Sequence, residues 1–126
     1  MDIIVQKFGG SSVKDESARL KALKHVKSAV QQGNKVIVVV SAFRSHETPY
    51  ANDALLNLVH AEQTNLTNRE LDMLMSVGET ISATVFTELA LEQGLKAMTL
   101  TGHDAGIITN DEFQNAKILK VDPQPI

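Results

Sequence analysis

Lys7-Phe8-Gly9-Gly10-Ser11-Ser12-Val13 joins a short apolar stretch, Ile3-Ile4-Val5, to a segment of helical periodicity. A strand that turns through paired glycines into a helix is a geometry in which backbone amides meet an anion. Glycine tolerates positive φ and lets bare backbone approach a ligand, so Gly9 and Gly10 are expected to turn at positive φ. The first N–H groups of the following helix have no partner within it and carry the positive end of its dipole. Lys7, at the end of the strand, adds a full positive charge at the same point. The alternative is an ordinary strand–turn–helix corner whose glycines serve only the turn. The motif alone leaves both readings open.

Outward from that corner, strand and helix patterns alternate. Ile3 to Phe8 reads as a strand and Ser12 to about Gln32 as a helix. Ala18, Ala22, Val26 and Val30 form its apolar stripe, widened by Leu23 and Ala29. Ser12 and Asp15 have capping-box spacing, and Gly33 supplies the stop. Lys35 to Ser41 is a β-branched run, expected to be a parallel strand buried on both faces. Phe43 to Asn52, which holds Pro49, reads as a polar loop, and Asp53 to about Glu62 as a helix.

Thr67-Asn68-Arg69-Glu70 is a second capping box, opening a long helix to Gln93. Gly78 interrupts it, and an interior glycine costs about 1 kcal/mol relative to alanine. A kink, close packing or a ligand should compensate. Gly94 ends this helix, Ala97 to Leu100 reads as a third strand, and Thr101-Gly102-His103 follows. Gly106 to Thr109 and Ala116 to Val121 read as two short β-like pieces. The alternation implies an α/β fold with a mainly parallel sheet and helices on its faces. In such sheets ligands collect at the carboxyl ends of the strands. The Gly9-Gly10 loop, Ser41 and Thr101-Gly102 are expected on that edge.

Composition narrows the setting. A chain of 126 residues suits about one domain. A formal charge of −3 argues against nucleic acid as the main partner. The absence of cysteine excludes disulfides and thiolate metal sites. His25, His46, His60 and His103 are dispersed, so no zinc site is expected. Met1-Asp2 leads directly into a strand, without the basic and apolar stretches of a secretory signal. The unbroken apolar run Val36 to Val40 is far too short to cross a bilayer. The expectation is a cytoplasmic protein with no membrane partner. Lys14, Lys21, Lys24 and Lys27 read as the solvated face of the first helix, and Met73, Met75 and Met98 as packing residues.

The opening motif resembles that of the aspartokinases, in the amino-acid kinase superfamily. Further segments agree with it in order and spacing: Val38-Val39-Val40-Ser41-Ala42, Arg69-Glu70-Leu71-Asp72, Ser76-Val77-Gly78-Glu79, and Leu100 through Thr109. Pro49-Tyr50-Ala51-Asn52-Asp53-Ala54-Leu55-Leu56 is similar to the diaminopimelate-sensitive aspartokinases of bacilli. The resemblance covers essentially the whole chain. It implies a three-layer α/β/α sandwich, with residues 1–126 as the N-terminal half of an amino-acid kinase domain. No segment resembles the family's Gly-Arg-Gly-Gly-Ser-Asp stretch, its adenine site or its ACT domains.

The activity implied by the resemblance is ATP-dependent phosphorylation of the side-chain carboxylate of L-aspartate, the first step toward lysine, threonine and methionine. Such transfer asks mainly for positioning and for positive charge around the moving phosphoryl group. By the resemblance, Lys7 is catalytic and neutralises that group, while Lys7, Phe8, Gly9, Gly10, Ser11 and Ser41 hold ATP. Ser41, Asn52 and Glu79 contact the substrate, Glu79 through its α-ammonium. Mg²⁺ is expected only through the ATP phosphates. Each assignment has a plainer counterpart: Lys7 as a solvated strand-end lysine, Ser41 as a hydroxyl bonded to local backbone, Glu79 as a helix-surface carboxylate.

Two departures from the family pattern stand out. Phe43-Arg44 replaces a Met-Gly pair, and Arg44 is expected to lack that glycine's backbone freedom. Asn52 stands where a substrate-binding threonine is frequent, though an asparagine can still donate a hydrogen bond. Half a catalytic site implies a chain inactive alone and prone to self-association or to pairing with a longer kinase chain. The other readings are a kinase of another acidic amino acid and a non-catalytic nucleotide-binding or interaction module.

Overall fold

The computed structural model describes residues 1–45 and 48–126. His46, one of the dispersed histidines, lies outside the described residues with Glu47, within the expected polar loop. Strand β1 (Ile3–Phe8) is followed by a single 3-10 turn at Gly10–Ser12, helix α1 (Glu16–Gln31) and strand β2 (Lys35–Val40). Helices α2 (Asn52–Leu58) and α3 (Asn68–Glu92) come next, then short strands β3 (Ile107–Thr109) and β4 (Ile118–Val121). β1 and β2 pair in parallel, from Ile3 opposite Lys35 to Phe8 opposite Val40. β3 and β4 pair antiparallel, with a register shift between Ile108 and Thr109. The α/β class with a parallel sheet is as expected.

Because side chains alternate along a strand, the β1–β2 ladder has two distinct faces. Phe8, Val36, Val38 and Val40 face the core, packing against Ala22, Leu23 and Val26 of α1 and Phe86, Leu89 and Ala90 of α3. Phe8 stacks on Phe86, with ring centroids 6.1 Å apart. The other face carries Ile3 and Val5, which are 66% and 62% exposed, and Val39. The β-branched run of β2 is therefore covered on one face, not both. Of the three layers that the resemblance implies, residues 1–126 supply the sheet and the helical layer of α1 and α3.

Several element boundaries differ from expectation, each for a local reason. α1 begins at Glu16, because Ser12 is consumed by the 3-10 turn. Asp15 is the N-cap instead, its Oδ1 accepting the Ala18 amide at 2.7 Å. α2 ends at Leu58, short of Glu62. At the start of α3 the Thr67 hydroxyl donates to the Glu70 carboxylate rather than capping the backbone. That bond, first among the causes, holds the Glu70 carboxyl below its usual range. Ala97–Leu100 forms no ladder, since among the described residues no strand lies beside it. It is tied to α3 through Thr99 Oγ1, 2.8 Å from Thr87 Oγ1. Met73 and Met98 are 55% and 74% exposed, so they are not core packing residues.

Gly78 is buried within α3 where α2 crosses it. A Cβ there would sit 3.1 Å from Asn52 Oδ1 and 3.2 Å from both Leu55 Cδ1 and the Tyr50 carbonyl oxygen. Close packing is thus the compensation for glycine in mid-helix. Alanine gains about 1 kcal/mol of helix propensity against a mild clash, so Gly78→Ala should be near neutral. Gly78→Val adds bulk with no such gain. It should destabilise the fold by about 1–3 kcal/mol in urea titration, as overpacked cores do.

Candidate functional site

β1 delivers the glycine turn to the carboxyl end of the sheet. Gly9 is extended, at φ −71° and ψ 171°. Neither it nor Gly10 adopts positive φ, contrary to expectation. The turn closes through the Ser12 amide on the Gly9 carbonyl at 2.9 Å and the Val13 amide on the Gly10 carbonyl at 3.4 Å. Among the described residues, the amides of Gly9, Gly10 and Ser11 have no acceptor. They add to the open donors at the start of α1, where Asp15 takes only the Ala18 amide with its side chain and the Arg19 amide with its carbonyl.

Packing requires only one of the two glycines. A Cβ on Gly10 would meet the Ala42 carbonyl oxygen and Arg44 Cβ at 2.7 Å, so the loop after β2 demands a bare backbone there. A Cβ on Gly9 would meet nothing within 4 Å. Neither dihedral angle nor packing calls for glycine at position 9, and what its missing side chain leaves is room beside the open amides.

Lys7 lies on the exposed face of β1, and its ammonium has no ion pair among the described residues. Phe8 has its ring in the core, and its carbonyl accepts the Ser41 amide at 3.2 Å. It thereby holds the end of β2 against the turn. The half-buried Ser41 hydroxyl has no partner among the described residues, so the plainer reading of a hydroxyl bonded to local backbone is not seen. Arg44 is not at positive φ, and its amide donates to the Gly10 carbonyl at 3.2 Å. The backbone freedom expected to be missed at this position is not needed.

Asn52 lies elsewhere, at the α2–α3 contact, beside the residue that precedes Glu79. Asn52 opens α2 with its Oδ1 buried and unpartnered beside Gly78, and Glu79 follows Gly78 on an exposed turn of α3. The segment from Ala42 to Ala51 links this contact to the glycine turn. A shallow groove of about 500 Å³ beside the turn takes in Phe8, Ser11 and Lys14 but not Lys7, Gly9, Ser41, Asn52 or Glu79. Thr101-Gly102 follows no strand. It forms a closed turn in which the Thr101 amide donates to Asp104 Oδ2 at 3.0 Å and the Asp104 amide donates to Thr101 Oγ1 at 3.1 Å. Among the described residues, no group of three or more His, Asp or Glu converges as a metal cage would require. None of the described helices is long and apolar enough to cross a membrane.

Sequence reasoning missed Arg19. Its Nη1 donates to the Val13 carbonyl at 3.0 Å, and its guanidinium carbon lies 5.0 Å from the centroid of the Phe43 ring. No periodic signal could have revealed it, because both partners are outside α1.

Comparison with known proteins follows the same lines. Residues 2–126 match the Amino acid kinase family. The chain is 52% identical over 124 residues to Aspartokinase 1 of Bacillus subtilis (strain 168), covering 98% of this chain and 31% of that protein. It is 41% identical over 122 residues to an aspartokinase of Geobacillus stearothermophilus, covering 97% of this chain and 29% of that one. The crystal structure of an aspartate kinase from Synechocystis superposes with a TM-score of 0.70 at 36% identity, over 85% of this chain and 17% of that chain. The chain thus spans under a third of the length of the curated relatives it matches.

The Thr101–Asp104 turn makes a pH prediction. The Thr101 amide, followed by its hydroxyl, holds the Asp104 carboxyl below its ordinary value. A depressed carboxyl stabilises above its unfolded pKa, and that support is lost as pH falls through the folded value. The Thr101 amide resonance should therefore titrate with a midpoint below 3.8, and Asp104→Asn should abolish the titration.

Proposed function

Because the chain belongs to the amino acid kinase family, we propose that it forms the phosphate-binding and acceptor-binding part of an aspartokinase. The activity concerned is ATP-dependent phosphorylation of the L-aspartate side-chain carboxylate. One observation carries this reading. Among the described residues the Gly9, Gly10 and Ser11 amides have no acceptor and Lys7, two residues before Gly9 in the chain, has no ion pair, with Gly9 demanded by neither dihedral angle nor packing. Successive open N–H groups with a point charge nearby suit a polyanion.

In this reading the three amides hold the ATP phosphates, and Lys7 stands against the charge that develops on the moving phosphoryl group. Phe8 acts through its backbone, keeping Ser41 at the turn so that the hydroxyl sits beside the reacting groups. Glu79 meets the α-ammonium of aspartate, which needs an opposed carboxylate to lose its water. Asn52, with its Oδ1 buried against Gly78, orients the same substrate through its side-chain N–H donors. Mg²⁺ would be held through the ATP phosphates, where it would supply charge screening, rather than by a cage of protein carboxylates. A cytoplasmic setting belongs to the same proposal.

Binding tests it directly. MgATP should bind the folded chain by isothermal titration calorimetry, and Lys7→Ala should weaken it by about tenfold or more, as loss of a charge-assisted contact to phosphate does. Equal affinity of the variant would remove Lys7 from the site. In a polypeptide containing these residues that turns over, hydroxylamine should trap an acyl phosphate with L-aspartate but not with L-glutamate or N-acetylglutamate.

The partner proposal rests on the uncovered sheet face. Ile3 and Val5 are exposed there, and within the described residues the outer edges of β1 and β2 are unpaired. Apolar, unpaired edges invite another strand. Self-association, or pairing with a longer kinase chain, follows. Light scattering should show mass rising with concentration, and a monomer throughout would refute the self-association.

A further inference from the structure

We propose that Arg19 is a positioning residue: it clamps the glycine turn to the loop after β2 and so fixes the turn's open amides for a polyphosphate. The inference rests on the phosphate-binding reading above and adds to it a residue that touches no ligand.

Two loops must be held together for the turn to keep its shape. One is Gly9 to Val13 and the other is Ala42 to Arg44. At the backbone they meet at Gly10, where the Arg44 amide donates to the Gly10 carbonyl and no Cβ could fit. Beyond the core packing that Val13 and Phe43 share, the Arg19 side chain joins them. Arg19 Nη1 donates to the carbonyl of Val13, the last residue of the turn and fully buried. The same guanidinium lies over Phe43, itself 8% exposed in the core. A planar guanidinium can donate in its plane while it stacks on an aromatic face, so one side chain engages both loops at once.

This also gives Phe43 a role, whereas the Arg44 amide is one that any residue other than proline would supply. Phe43 supplies the aromatic face on which Arg19 rests, and the Arg44 amide supplies the backbone bond to Gly10. With Arg19 removed, the Val13 carbonyl would lose its side-chain donor, and the turn would keep the Gly10 backbone bond and the apolar packing of Val13 and Phe43 in the core. A buried acceptor left without a donor is costly, and the loops should separate to let water reach it.

The test compares wild type with Arg19→Met, Arg19→Lys and Phe43→Leu. Magnesium triphosphate is the probe, since it carries the phosphates without the nucleoside. Binding is measured by calorimetry, and exchange of the Arg44 amide by NMR. The expected result for Arg19→Met is triphosphate affinity lower by about tenfold and Arg44 exchange faster by a similar factor, the usual worth of a hydrogen bond with its stacked cation. Arg19→Lys, which keeps the cation and one donor, should recover most of both. A merely structural role would lower thermal stability without a triphosphate-specific loss that lysine rescues.

Unchanged affinity or unchanged Arg44 exchange in a folded Arg19→Met protein overturns the proposal. If wild type binds no triphosphate while Arg19→Met still accelerates Arg44 exchange, the phosphate-binding reading fails and the clamp stands as a loop tether only. Should Arg19→Met not fold, Phe43→Leu keeps the core filled and removes only the aromatic face. It should then show the same two changes at about threefold each, and their absence overturns the proposal.

Discussion

The parallel pairing of β1 with β2 is the constraint on which the site depends. Its last rungs continue past both strands, as the Ser41 amide on Phe8 and the Arg44 amide on Gly10. Those bonds bring the glycine turn and the loop after β2 to the same end of the sheet, where neither could hold its shape in water alone. The contact is tight enough that Gly10 admits no side chain. A one-residue slip between the strands would turn Phe8 and Val40 out of the core and separate the two loops. The core face and the candidate site thus share one register.

Packing enforces that register from the opposite direction. α1 and α3 both lie on the face that presents Phe8, Val36, Val38 and Val40. The Phe8–Phe86 stack ties the end of β1 to the middle of α3, close in sequence to Gly78 and Glu79. α2 then settles on α3 through the gap at Gly78, which sets Asn52 beside it. The glycine turn and the Asn52 region therefore both depend on α3, one through Phe8 on Phe86 and the other through Gly78. The polar atoms left open fit this picture. Loop amides are exposed at the turn, and Asn52 Oδ1 is buried and unpartnered at the helix contact.

Much of this was legible in the order of residues. The bounds of β1, the close of α1 at Gly33 and of α3 at Gly94, and the short pieces at the chain's end follow from periodicity and breakers. The candidates Lys7, Gly9 and Gly10 came from the strand–turn–helix pattern, and Ser41 and Glu79 came from the resemblance to aspartokinases, since motifs in register survive without any knowledge of contacts. Where expectation failed, a distant partner decided. Ala97–Leu100 has the composition of a strand but no strand beside it. β2 reads as doubly buried, yet only one of its faces is covered. Ser12 has the spacing of a cap, but the 3-10 turn claims it and Asp15 takes the role.

Residue type and local spacing are enough for the α/β order, the helix stops and the chemistry available at the end of β1, because each depends on near neighbours in the chain. Only the tertiary structure decided which glycine answers to packing and which leaves space, that Gly78 accommodates α2, and that Arg19 bridges Val13 and Phe43. Those outcomes depend on which atoms meet across many residues of chain, and no local pattern encodes such a distance.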